Sequence, residues 1–320
     1  MDTKISKKRL NDLLSYDWIK IIALVIAGIV LWSLIFTMSA VRLSVGQQFK
    51  IFINYDVYTG NKFSQFTQTL SDDVLSYDVL DFSSESLLED SYSTILSARF
   101  SVNEGDLMIV TDAGSEAIEA TDTTPAVPAV NSNFKSFVDG YNIAYPIEQL
   151  ITDAEDYYKN FYELSSSMEV EYNIDGSAKF KDLILLKSMF TDRMKGDNRF
   201  KTTEQIDKGL IEELNRIETL RKAVIKFKEY IALNPDCLIN YKLQQQYIKN
   251  NPDQTEITEG EEKAYGIDIS GVTGITNIFK NAAGGSENLT LVVINWKNKQ
   301  VDLQYEVIPV IMNILEGNII

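Results

Sequence analysis

The chain contains no histidine and a single cysteine, Cys237, in 320 residues. The absence of histidine removes Ser-His-Asp and Cys-His nucleophilic catalysis and every imidazole-ligated metal. One cysteine cannot close an internal disulfide, so a domain outside the cell must rest on its own core. Cys237 has no imidazole to activate it and reads as a plain thiol. Proline is scarce, with six residues. Basic residues are outnumbered: 30 Lys and Arg stand against 46 Asp and Glu, a formal net charge of −16. A surface of that sign excludes nucleic acid as a partner and disfavours an anionic membrane face. By charge alone it steers cationic solutes or metal ions, and it also keeps a secreted domain soluble.

Charge is missing altogether from one stretch, Ile21–Ala40. A helix needs about 20 mostly apolar residues to cross a hydrocarbon core, and this run has that length. Its polar side chains, Ser33, Thr37 and Ser39, can bond back to the preceding turn. Tyr16 and Trp18 sit where aromatic residues favour the interface. A cleaved signal has an apolar core of only about 7–15 residues with small residues before the cut, and Met38 stands in that place here. The segment therefore reads as an uncleaved anchor over residues 21–41. Residues 1–20 carry Lys4, Lys7, Lys8, Arg9 and Lys20 against three aspartates. The positive-inside bias puts this basic tail in the cytoplasm and the rest of the chain outside, with about −18 of the charge. The Ala23/Ala27 spacing permits a close helix neighbour, so a membrane-protein partner is open.

The outer region begins with a strand, "FKIFINYD" (Phe49–Asp56). Phe63, Phe66 and Leu70 follow at helical spacing, and "SYDVLDF" (Ser76–Phe82) gives a second strand. Ser84 or Ser86 would cap a helix with Leu87, Leu88, Ile95, Leu96 and Phe100 inward and Gly105 past its end. "DLMIVTD" (Asp106–Asp112) is a third strand. This alternation predicts a parallel sheet with helices on its faces, and ligands of such sheets bind beyond the carboxyl ends of the strands. Residues 113–133 then read as a long loop. Its acids Glu116, Glu119 and Asp122, with Asp112, do not follow the EF-hand spacing, so no metal is assigned.

Residues 134–161 read as helix in pieces, with Pro146 at a start. Met168–Phe180 alternates around Asp175-Gly176 as a hairpin. Thr203–Leu233 is the strongest helix, with Ile206, Leu210, Leu214, Ile217, Leu220, Val224, Phe227 and Ile231 at steps of three or four. Residues 250–262 read as a polar loop, Lys263–Ser270 as a short strand, Asn288–Lys297 as a buried strand, and Gln304–Gly317 as an amphipathic helix. No glycine-rich phosphate loop stands between a strand and a helix.

The order "YGIDIS", "LTLVVINWKNKQ" and a closing helix, together with the opening "GDLMIVTD", resembles bacterial extracellular solute-binding proteins of the periplasmic-binding type. The resemblance implies an extracytoplasmic, two-lobed α/β domain: residues 45–115 and 260–320 as the first lobe, and residues 116–259 as a second, mainly helical lobe. It departs from that family in carrying a membrane helix in place of a lipid-bearing cysteine. The cleft it implies would hold Asp56, Ser83, Ser84, Thr111 and Asp112, with Tyr145 or Tyr157 opposite, around a small polar or cationic solute. Ser83 and Ser84 are also good helix caps, and Asp112 a plain loop acid. With no catalytic constellation and no cofactor motif, the expected role is non-catalytic ligand binding or sensing at the cell surface. The alternative is an accessory subunit of a cell-envelope complex.

Overall fold

The computed structural model describes residues 18–39, 48–74, 81–87, 89–112, 132–160, 171–172, 178–179, 183–197, 199–248, 255–295 and 304–317. Contacts divide the chain into Met1–Leu43 and Ser44–Ile320. In the first unit, α1 (Trp18–Ser39) runs for 22 residues, or about 33 Å at 1.5 Å per residue. Its apolar window, Trp18–Thr37, has a mean hydropathy of 2.6 and buries nothing against protein. Thr37 Oγ1 donates to the Ser33 carbonyl at 2.6 Å, the back-bond that hides a hydroxyl inside an apolar helix. The helix is long and apolar enough to cross a membrane.

The second unit is built on a six-stranded mixed sheet. β1 (Gln48–Ile53) is rich in aromatic and β-branched residues, which suit a pleated surface. It pairs in parallel with β3 (Asp81–Ser86) and with β4 (Leu107–Thr111). Between them run β2 (Val57–Thr59), then α2 (Phe63–Thr69) with its π-turn Leu70–Val74, and then α3 (Tyr92–Ser101). All five residues of β4 are buried, as befits a strand covered on both faces. β10 (Leu289–Val293) lies antiparallel beside β4, β8 (Thr255–Asp268) beside β10, and β7 (Leu238–Ile248) at the edge. The spatial order is β3-β1-β4-β10-β8-β7.

Alternation along the strands makes two cores. Phe49, Ile51, Ile53, Leu107, Ile109, Leu291 and Val293 face a layer formed by α2, α5 (Ile147–Asn160), α7 (Thr203–Leu233) and α8 (Val307–Leu315). Phe52, Met108, Val110 and Val292 face α3 and α4 (Asn133–Tyr141). Close approach of α4 depends on Gly266: a Cβ there would stand 2.8 Å from the Phe134 ring. The expected stripe on α7 is buried from Leu210 to Phe227, its start against α6 (Leu183–Arg193) and its centre against the sheet. Thr202 caps α7 in a reciprocal box with Gln205, and the helix ends before Asn234-Pro235. β5 (Glu171–Tyr172) and β6 (Ala178–Lys179) pair antiparallel, as the hairpin reading requires, while its Asp175-Gly176 turn lies outside the described residues. A further two-stranded pair joins β2 to β9 (Phe279–Asn281).

Three expectations need correction. The second strand, whose expected residues 76–80 lie outside the described residues, continues to Ser86, so Ser83 and Ser84 are strand residues in register with Lys50 and Ile51 rather than helix caps. Residues 255–262 are strand rather than loop: they pair with β7 alone, and exposure of Thr258–Glu262 goes with their polar sequence. The last helix is not amphipathic, because every residue of α8 except Asn313 is buried. Residues 116–259, expected as a second lobe, contribute α7 to a helical layer and β7 and part of β8 to the sheet edge.

Glu155 on α5 accepts hydrogen bonds from Lys159, at 2.8 Å, and from Lys228 on α7. These bonds, and then the two positive charges, hold its carboxyl below the usual carboxylate range. A depressed acid contributes stability above its unfolded value of roughly 4.3 and loses it as pH falls through the lower folded value. Glu155→Gln is therefore expected to flatten the acid limb of a stability-versus-pH curve. The two lysines are half-exposed, which keeps the neutral-pH loss below about 1 kcal/mol. Urea midpoints between pH 3 and 7 check it.

Candidate solute site at the carboxyl ends of β1 and β3

The chain leaves β1 through Asn54, Tyr55 and Asp56 and turns at once into β2, with the Val57 amide on the Asn54 carbonyl at 3.0 Å. This turn places Asp56 beside the last residue of β4. Asn54 Nδ2 donates to Asp56 Oδ1 at 2.8 Å, and Asn133 Nδ2 donates to Oδ2 at 2.5 Å. The Thr111 hydroxyl donates to the same oxygen. Asn133, the first residue of α4, also reaches Thr111 Oγ1 and accepts from the Tyr55 hydroxyl at 3.3 Å. One residue further along, the Asp112 carboxylate accepts from Ser132 Oγ, which itself caps α4 by accepting from the Lys135 amide at 3.2 Å. The two aspartates thus tie the ends of β1 and β4 to the start of α4. Asn54 is 1% exposed, and its Oδ1 has no hydrogen-bond partner among the described residues. Tyr92 closes the cluster from below, its ring edge-on to Tyr55 at 5.6 Å. Burial first, then the neighbouring Tyr141, Asp56 and Tyr55, pushes the Tyr92 phenol far up, so it stays protonated.

Beside this cluster opens a depression of about 630 Å³ at the carboxyl ends of β1 and β3. Tyr55, Tyr58, Thr59, Ser86 and Lys280 line it. The β2–β9 ladder sets Tyr58 directly across from Lys280. The neighbouring positions Val57 and Phe279 point into the core, while Tyr58 is 52% exposed.

The structure brings together Asp56, Thr111 and Asp112 as the sequence suggests. Ser83 and Ser84 sit within β3, short of its carboxyl end, and Ser86 takes the place expected of them at the rim. Tyr145 and Tyr157 lie elsewhere. The Tyr145 amide bonds the Val293 carbonyl at 2.8 Å. Val293 pairs with Leu107 and Leu289 with Thr111, so Tyr145 marks the amino end of β4. That is four residues, roughly 13 Å, along the strand from Thr111. There the Tyr145 hydroxyl donates to Asp153, and Tyr157 packs on Tyr305 at 5.1 Å and accepts from Arg216 at 2.9 Å. Burial first, then Asp153, raises the Tyr145 phenol, and both tyrosines read as core. The Ser132 and Asn133 cap was open to sequence reading through "NSNFKSF", a polar pair before a Phe134, Phe137, Val138 stripe. The Tyr58–Lys280 pair had no local signal.

Among the described residues no group of three or more acids or thiols is placed to hold a metal. Cys237 is half-buried, and burial first, then Asp268, pushes its thiol up, away from a reactive thiolate. What the site offers is hydrogen bonding, an exposed ring and one cation. No family model, no curated protein and no solved structure matches this chain.

Proposed function

We propose that the chain is a single-pass anchored protein whose extracytoplasmic domain binds a small polar solute without transforming it, for capture or sensing at the cell surface. The observation that carries this reading is the depression at the carboxyl ends of β1 and β3, where an exposed tyrosine, hydroxyls and a lysine converge beside a hydrogen-bonded cluster. Open α/β sheets place their ligands at that end, and the volume falls within the range of small-molecule sites, roughly 300–1,000 Å³. The anchor rests on the length and apolarity of α1, and the outward orientation on the five basic residues among the first twenty.

Thermal unfolding of the full chain in nanodiscs, against pools of amino acids, peptides, sugars, polyamines and carboxylic acids, tests this reading. A solute that binds only the folded form raises the midpoint, by about 2.7 kcal/mol of stabilisation at 100-fold excess over its dissociation constant. Tyr58→Ala is expected to remove the rise. A second reading, an accessory subunit of a cell-envelope complex, is favoured by one feature: Asp56 and Asp112 spend their carboxylates on internal bonds. Flat melts across all pools would move the conclusion to it.

A further inference from the structure

We infer that the solute is an anion bearing hydroxyls, of the sugar-acid class, held through Lys280. This rests on the reading of the depression as a solute site. The whole domain is acidic, and net charge alone would select cations. The described lining has the opposite sign: Lys280 is its single charged side chain, and none of its described members is a carboxylate. The nearby Asp56 is outside the lining and is taken up by hydrogen bonds from Asn54, Thr111 and Asn133. Lys280 makes no ion pair with any described carboxylate, so its ammonium is available to a ligand.

The remaining lining fits the same chemistry. Tyr58 shares a face of the β2–β9 ladder with Lys280 and is half-exposed, which offers a flat ring for the apolar side of a pyranose. Thr59 and Ser86 supply hydroxyls that both donate and accept. Asn281 is not a further recognition group: its Oδ1 holds the Gly285 amide at 2.9 Å and its Nδ2 holds Glu287 at 2.9 Å. Those bonds fix the turn after β9 and so the strand that presents Lys280. The long-range field of the domain slows the approach of an anion, but beyond a Debye length of about 8 Å at physiological salt it is largely screened. The bound state is decided by the group in contact.

Isothermal titration of the full-length protein in nanodiscs, at one ionic strength, with D-glucuronate, D-glucose and D-glucosamine tests the sign. These share a ring and differ in bearing a carboxylate, no charge or an ammonium. Glucuronate is expected to bind tightest and glucosamine weakest. Lys280→Gln should weaken glucuronate about tenfold or more, the range of a lost charge-assisted hydrogen bond, and leave glucose unchanged. Lys280→Glu should invert the order. Lys226→Gln, an exposed lysine on α7, should alter none of the three. Unliganded melts of each variant separate folding from binding. Glucosamine binding tightest, with the binding lost in Tyr58→Ala, overturns the anionic inference and leaves the solute site standing. An unchanged glucuronate affinity in Lys280→Gln also overturns it. No heat with any of the three overturns it too, and the pooled melts then decide whether the solute site falls as well.

Discussion

Glu306→Ala is expected to remove about 3–5 kcal/mol of stability, the usual consequence of leaving one partner of a buried ion pair behind. Glu306 sits just before α8, and its Oε1 meets Arg216 Nη1 of α7 at 3.1 Å with the two side chains 3% and 2% exposed. Arg216 also donates to Tyr157, so the charge anchors α5, α7 and α8 at one point beneath the sheet. Removing the carboxylate takes away the charge that faces the guanidinium at 3.1 Å, in a medium that solvates an ion poorly. Arg216→Met with Glu306→Leu is expected to recover most of the loss, because desolvation of both charges disappears together. Urea unfolding followed by far-ultraviolet circular dichroism distinguishes the two. A Glu306→Ala loss below about 1 kcal/mol would mean that water reaches the pair.

Gly105→Ala is the second large effect, about 2–5 kcal/mol, from two separable causes. Gly105 joins α3 to β4 with φ of +106°, a conformation that costs an L-residue about 1–2 kcal/mol. A Cβ there would also stand 2.3 Å from Cε2 of Phe52, a ring that is fully buried at the centre of the second core. Gly196 provides the control: its φ is +96°, but nothing lies within 4 Å of its added Cβ. Gly196→Ala is expected to show the backbone cost alone. The difference between the two variants then measures the packing of Phe52. Equal losses would show that Phe52 yields without cost.

How much of this was legible in the sequence depended on how local each signal was. The membrane-length helix and α7 were both readable because their patterns are complete within one element. The capping residue Thr202 and the breaker Asn234-Pro235 mark the ends of α7 in the chain itself. β1, β4 and β10 were readable as apolar runs. In β7, "LINYKLQQQYI", neither a strict alternation nor an apolar run announces the strand, which forms at the sheet edge through its pairing with β8. The site was half legible. Asp56, Thr111 and Asp112 follow from the rule that loops after parallel strands gather at one end. Ser83 and Ser84 do not cap a helix because β3 runs on to Ser86, four residues past the end its apolar pattern suggested. Tyr145 and Tyr157 are aromatics suited to a ligand by type, yet they pack among Tyr305 and Arg216, which only tertiary contact reveals. Tyr58 and Lys280 meet across 222 positions of chain through the register of two three-residue strands, and no local pattern encodes that meeting.

The proposed role stands or falls on solute binding in the depression beside Tyr58. The most direct test is fluorine NMR of the full-length protein carrying 3-fluorotyrosine, with the Tyr55 and Tyr58 resonances assigned by Tyr55→Phe and Tyr58→Phe and solute pools added in turn. One pool is expected to shift the Tyr58 resonance saturably, while the resonances of buried Tyr145 and Tyr305 stay in place. A Tyr58 resonance unmoved by every pool, or saturable shifts confined to tyrosines away from the depression, would contradict it.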